Sequence, residues 1–254
     1  MNKEIQFEKY EKRSADYHYQ QINKGNLRKF NAFTEARYIK HINLIKKHLK
    51  ILSFNKQEVI DVLDVGCGDG VLLYLLNKHL RKYKFNIHGV DLSEKALEVA
   101  KNKIPGGNFI KTDIYNSTFQ ENNFDLIISS DVIEHVNHPD KMLVEIKRVA
   151  KKNALIIIGT PIKYTEKPLD RMHVKEFFQQ EFIKITSEYF NFVELEESHK
   201  QIQFLKYIKQ SKLLKIRINR YLFNLICVFR ANPFLDKIKK TTDFPTYMFS
   251  VCKN

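Results

Sequence analysis

The chain predicts an α/β fold on a mostly parallel sheet, and three observations carry that expectation. Short apolar runs alternate with helix-like segments, several of those runs end in an acidic residue, and a cluster of alternating glycines follows the first run. That first run is Val-Leu-Asp-Val at 62–65, continuing as Gly-Cys-Gly-Asp-Gly at 66–70. A short, mostly apolar run of this kind fits a strand buried on both faces, and residues 69–81 read as the helix after it. Glycines at such a junction let the backbone turn sharply and approach a ligand where a side chain would collide. Open α/β sheets bind ligands beyond the carboxyl ends of their strands, so the turn is expected beside a cofactor.

The elements that follow sharpen this. Residues 86–90 predict a second strand ending at Asp91, with Leu92 next and Ser93 placed to cap a helix from Glu94. An acid about 20 positions past the glycines can accept hydrogen bonds from both hydroxyls of a ribose. A third run, 109–113, ends in Asp113, suited to the edge of an adenine ring. A fourth, 124–130, leads into Asp131-Val-Ile-Glu134-His135. The glycine turn alone also fits a dinucleotide site; the spacing of four strand ends is far more specific.

Together these motifs resemble those of the class I S-adenosylmethionine-dependent methyltransferases, over residues 58–198 with a last strand at 246–252. The turn at 62–70 is similar to their glycine-rich motif, and Gly89-Val-Asp91-Leu-Ser93 to their ribose-binding acidic motif. Thr112-Asp113 and residues 124–135 are similar to the adenine-side and fourth-strand motifs. The resemblance implies a Rossmann-like seven-stranded sheet, mostly parallel with an antiparallel last strand, and helices on both faces. It implies S-adenosyl-L-methionine as cofactor, held by Asp64, Gly66, Cys67, Gly68, Gly70, Asp91, Leu92, Asp113, Ile114 and Ser130. In that family the Asp64 carboxylate would sit near the amino end of the methionine moiety. Asp64, the three glycines, Asp91 and Asp113 are all present, which argues against a methyltransferase-like subunit that only binds or scaffolds.

Around this core the sequence divides into a helical cap at 1–52, the cofactor-binding core at 53–200, a basic helical insertion at 201–243 and a last strand at 244–254. In the cap, Ile39, Ile42, Ile45, Leu49 and Leu52 approach a helical stripe, with Tyr10, Tyr17, Tyr19 and Arg37 as candidates to cover the cleft. A helix is expected at 140–150, a strand at 154–158 ending in Gly159-Thr160-Pro161, a helix at 174–190 and a strand at 191–196. Phe177 and Phe178 read as core.

The chemistry is expected at the tip of the fourth strand. Methyl transfer from a sulfonium is an in-line displacement from an activated donor, so the protein supplies alignment and, where needed, a base. Asp131, Glu134 and His135 stand at i, i+3 and i+4 and would share a face if the segment turns helically. His135 is the natural base, with Glu134 and His173 as further catalytic candidates. His138 precedes Pro139, which disfavours a helical backbone there. A sharper reading joins Asp131, Glu134, His135 and His173 as a mixed oxygen and nitrogen site for a divalent metal. It resembles the Glu-x-x-Glu-His segment of ubiquinone-pathway and small-RNA 2′-O-methyltransferases, with Asp131 one methylene shorter than the first Glu. His173 equally fits a cap on the helix after it. Lys163, Tyr164 and Arg171 would lie over the acceptor.

An Asn/Asp-Pro-Pro-aromatic segment is absent at the fourth strand, and so is a Pro-Cys nucleophile, which disfavours base methylation. O-methylation of a small hydroxylated metabolite or a sugar or glycan leads, with RNA ribose 2′-O-methylation as the rival. The net charge is +14, concentrated in 201–240, where ten basic residues face Asp236 alone. Leu213, Leu214, Ile216, Ile218, Tyr221, Leu222, Leu225, Ile226 and Phe229 interleave with them. This pattern suits an amphipathic helix on an anionic membrane, phosphate contacts with RNA, or a packed insertion with solvated charges. Three separated cysteines give no disulfide framework, no run approaches the ~20 residues of a membrane span, and the N-terminus lacks a signal peptide's apolar core. A cytoplasmic protein, at most peripheral at the inner membrane surface, is expected.

Overall fold

The computed structural model describes residues 13–52, 58–115, 117–165, 168, 170, 172–209, 218–238 and 243–254. Tyr10, Arg171, Leu213, Leu214 and Ile216 lie outside these, as do Lys212, Lys215, Arg217, Lys239 and Lys240. The described elements run α1 (Tyr17–Ile22), α2 (Ala32–Ile51), β1 (Val59–Val65), α3 (Val71–His79), β2 (Lys84–Asp91), α4 (Glu94–Lys103), β3 (Asn108–Lys111) and β4 (Phe124–Ser130). They continue through α5 (Pro139–Val149), β5 (Ala150–Pro161), α6 (Gln179–Tyr189), β6 (Asn191–Lys200), α7 (Gln201–Ile208) and α8 (Ile218–Phe229) to β7 (Pro245–Lys253).

The seven strands form one sheet in the order β3-β2-β1-β4-β5-β7-β6. Pairings from β3 to β5 are parallel, and β7 runs antiparallel between β5 and β6. Strands covered on both faces are apolar at consecutive positions rather than alternate ones. β5 shows this: Leu155 and Ile157 pack with α2, α3 and α4, whereas Ile156 and Ile158 pack with α5 and α6. Ser93 caps α4 as its position predicts, its hydroxyl accepting from the Ala96 N–H at 3.3 Å.

Three local expectations change. The helix placed at 174–190 begins only at Gln179, because the preceding backbone is committed elsewhere. Val174 and Lys175 donate to the Glu134 carbonyl at 2.8 and 3.1 Å, and Lys163 donates to that of Phe177 at 2.9 Å. Phe178 is 46 % exposed, not core, and carries the Lys163 ammonium 4.8 Å from its ring centre. In α2 the stripe is wider than its isoleucines suggest and takes in two buried histidines, His41 and His48. His48 and Lys47 both reach Glu194, and Lys40 reaches Glu196, lashing α2 across β6. Among the described residues no helix is long and apolar enough to cross a membrane.

Truncating Ile157, fully buried on the central strand β5, is expected to cost about 2–5 kcal/mol. The midpoint of urea unfolding for Ile157→Ala, with an unchanged slope, checks it.

Candidate functional site at the strand tips

The sheet reverses its strand order at β1, which pairs with β2 on one side and β4 on the other. Loops leaving these strands head for opposite faces and open a crevice above their carboxyl ends. The 66–70 turn lies there. Gly66 and Cys67 both donate their N–H to the Val90 carbonyl, at 2.8 and 2.9 Å. The Asp91 carboxylate then clamps the turn, accepting from the Gly68 N–H at 2.8 Å and the Ser93 N–H at 2.9 Å. Gly66, Gly68 and Gly70 have φ of +76°, +54° and +78°, the left-handed region that side chains resist. At Gly66 space is also missing: a Cβ would come within 2.3 Å of Val132 Cγ2, in the loop that leads to His135.

The other donor-side candidates fall around this turn. Asp64 is 2 % exposed, and burial, then the nearby Asp91 charge, pushes its carboxyl well above the usual range. The Cys67 thiol is likewise pushed up by burial and then by Asp64, the opposite of an activated nucleophile. Asp113 is exposed and accepts from the Tyr115 N–H at 2.9 Å; Leu92 is 53 % exposed, and Ile114 packs on the core beside α5. The Ser130 hydroxyl stands 3.4 Å from the Tyr247 hydroxyl.

Beyond β4 the chain does not turn helically. Asp131 adopts φ +55° with its N–H on the Gly159 carbonyl at 3.0 Å. Its side chain meets the Arg37 guanidinium at 2.6 Å, both largely buried. Burial works hardest against the charge on Arg37, but Asp131, Tyr247, Tyr38 and Glu134 together outweigh it and the pKa is raised. The structure thus separates the four proposed metal ligands. Glu134, His135 and His173 offer ligand atoms within 4.8 Å of one another, while Asp131 is turned to Arg37 by its left-handed backbone. Glu134 is fully buried; one oxygen accepts from the Thr160 hydroxyl at 3.0 Å and the other has no hydrogen-bond partner. Burial and then Asp131 push its carboxyl up to about 8.

His135 places Nδ1 2.9 Å from the Met172 carbonyl, so that nitrogen carries the proton and Nε2 is the basic one. His173 does not cap α6: its Nδ1 meets Glu176 at 2.6 Å, and its ring stands edge-on to His135 at 4.9 Å.

Sequence reasoning missed what holds the cap. Asp69, inside the glycine motif but given no role, is fully buried and accepts from the His18 N–H at 2.8 Å and the His18 ring at 3.2 Å. Arg37, expected only to cover the cleft, is the contact between α2 and the fourth-strand tip. Its guanidinium carbon lies 5.4 Å from the Phe33 and Tyr247 ring centres. Gly159 admits the cap: a Cβ there would meet the His41 ring and the Tyr247 hydroxyl at 2.9 Å. A cleft of about 830 Å³ opens beside α1, α2 and α3, lined by Tyr19, Lys78, Lys103 and Arg230 but by none of the strand-tip residues.

Comparison with known proteins agrees with this fold. A family model described as a methyltransferase domain matches residues 56–218. The ubiquinone biosynthesis O-methyltransferase of Pelagibacter ubique is 34% identical over 139 residues, 53% of this chain and 55% of that protein. The phosphoethanolamine N-methyltransferase of Plasmodium falciparum is 31% identical over 140 residues, 53% of this chain and 50% of that protein. The chain spans about half the length of these two relatives. Phosphoethanolamine N-methyltransferase 2 of Haemonchus contortus, solved with S-adenosyl-L-methionine, shares the fold with a TM-score of 0.52 at 19% identity, over 82% of this chain and 52% of that one.

The buried His41 gives the cap a pH signature. Burial lowers its pKa from 6.5 to about 4. The unfolded chain binds this proton first, so the stability is fully present above pH 6.5 and is lost as the pH falls towards about 4. Urea titrations through that window are expected to show a shallower loss for His41→Gln than for the parent.

Proposed function

The chain belongs to the class I S-adenosylmethionine-dependent methyltransferase family, and from that premise we propose that it methylates a hydroxyl oxygen of a small hydroxylated metabolite or sugar. The observation that carries this reading is the convergence of His135, Glu134 and His173 at the β4 tip, one loop away from the glycine turn. The donor side supplies the other half. A buried carboxyl such as Asp64 is costly to ionise alone, and the cofactor's ammonium or sulfonium provides the cation it lacks. Asp91, whose carboxylate holds the glycine turn at the tip of β2, would lie beside the ribose hydroxyls. The adenine edge falls to Asp113 and Ile114.

In the transfer step the acceptor oxygen attacks the methyl carbon in line, the carbon–sulfur bond breaks, and the electron pair returns to sulfur. The acceptor proton passes to His135 Nε2, which the Met172 carbonyl keeps as the basic nitrogen. Glu134, half-satisfied by Thr160, faces the imidazolium that forms. The Pelagibacter relative's name supports an oxygen acceptor, and the Plasmodium relative's name makes an amine the competing one.

A second reading rests on the same three residues. A divalent ion would be held by Glu134, His135 and His173, with the Met172 carbonyl and Glu176 orienting the two rings, and would acidify the acceptor hydroxyl. Treatment with chelator followed by magnesium, manganese or zinc decides. Loss and recovery of turnover favours the ion; indifference leaves His135 as the base.

Calorimetry of cofactor binding should show Asp64→Asn weakened about tenfold to a hundredfold. In the parent, affinity should rise with pH and protons should be released on binding, because the carboxyl must ionise; Asp64→Asn should lose both effects. His135→Ala should keep cofactor affinity and lose about 10²–10⁴ in kcat. Mass spectrometry with a deuterated methyl donor and a panel of hydroxylated acceptors reads that loss. Turnover of phosphoethanolamine in place of every hydroxylated acceptor would replace oxygen by nitrogen.

A further inference from the structure

Helix α8 is built inside out. Its inner side is organised by a polar residue: Asn224 is fully buried and donates to the Leu27 and Phe30 carbonyls at 3.2 and 2.8 Å. The Asn224 oxygen accepts from the Ala32 N–H and the Tyr207 hydroxyl, at 3.3 and 3.0 Å. Its outer side is apolar. Leu222, Leu225, Ile226 and Phe229, one stripe at i, i+3, i+4 and i+7, are 53, 44, 41 and 78 % exposed. The neighbouring α7 turns Ile202 and Leu205 outward as well, at 60 and 54 %. Single exposed leucines are ordinary; a stripe of this kind beside a second one marks an interaction surface.

The charge around it selects the occupant. Lys206, Lys209, Arg220, Arg230 and Lys237 lie on or next to these two helices in sequence, where Asp236 is the one acid of residues 201–240, and Glu35 of α2 stands on the inner side near Cys227. A second copy would bring like charges together, and a phosphate backbone offers nothing apolar to cover Phe229. An anionic bilayer satisfies both requirements, taking the apolar stripe among its acyl chains and the cations at its headgroups. We propose that the outer faces of α7 and α8 dock this protein on an anionic membrane surface. The docked element is fastened to the start of α2, where the Tyr207 hydroxyl lies 3.2 Å from the Asn31 side-chain oxygen and the Asn232 amide donates to the Ala32 carbonyl at 2.7 Å. α2 carries Arg37 to Asp131, so docking sets the strand-tip site beside lipid. That last consequence rests on the methyl-transfer reading and favours an acceptor resident in the membrane.

Flotation of the full chain with phosphatidylglycerol–phosphatidylcholine vesicles, without donor or acceptor, tests the docking alone. The protein is expected to float with these vesicles and to lose about tenfold or more of its partitioning with phosphatidylcholine alone or at high salt. The Leu225→Glu/Phe229→Glu variant, altered only at outward positions, should keep the parent's circular dichroism and cofactor binding but stay at the bottom of the gradient. Flotation of that variant equal to the parent's overturns the proposal. So does a parent that does not float, that is retained by RNA alone, or that forms a dimer which the substitutions abolish. Cofactor calorimetry on the same samples separates failure of docking from failure of the methyl-transfer reading.

Discussion

The reversal of strand order at β1 is the constraint on which the rest of the structure depends. With β2 on one side and β4 on the other, α3 and α4 must cross one face of the sheet while α5 and α6 cross the other. The backbones therefore part beyond Val65 and Ser130, and the turn after β1 has to be held by something other than strand pairing. What holds it is the tip of β2, where the Val90 carbonyl and the Asp91 carboxylate together take the N–H groups of Gly66, Cys67 and Gly68. An acid at the tip of β2 is thus part of the scaffold that shapes the turn.

The cap answers a different requirement. Polar groups at the strand tips are withdrawn from water, and each has to be paired or neutralised. Asp69 is satisfied by the backbone and ring of His18, and Asp131 by Arg37. A buried ion pair of this kind adds little net stability, because both charges were well solvated in the unfolded chain. Its effect is to fix position: it commits α2 to one placement over β4 and leaves Glu134 as the carboxyl that burial holds near neutrality.

The basic insertion breaks the rule that governs the core. In α2 to α6 most apolar positions turn inward, whereas α8 uses Asn224 to reach the cap and leaves leucine, isoleucine and phenylalanine outside. Natural sequences depart from local consistency mainly where something other than folding is being served.

Period and spacing, which are properties of adjacent residues, determined the parallel sheet, its acidic strand tips and the Ser93 cap; the antiparallel last strand followed from the family resemblance alone. Gly66, Cys67, Gly68 and Asp91 meet in one turn for that reason. Tertiary structure alone decided which polar groups meet. Asp131 and Glu134 share a spacing that suggests one face, yet the left-handed backbone at Asp131 sends the first to Arg37, 94 positions away, and leaves the second beside His135 and His173. The roles of Asp69 and of Asn224 were hidden likewise, since a hydrogen bond spanning 51 or 194 positions leaves no periodic trace. Local pattern records which face of an element must avoid water; the identity of a buried polar group's partner is set only when distant segments pack together.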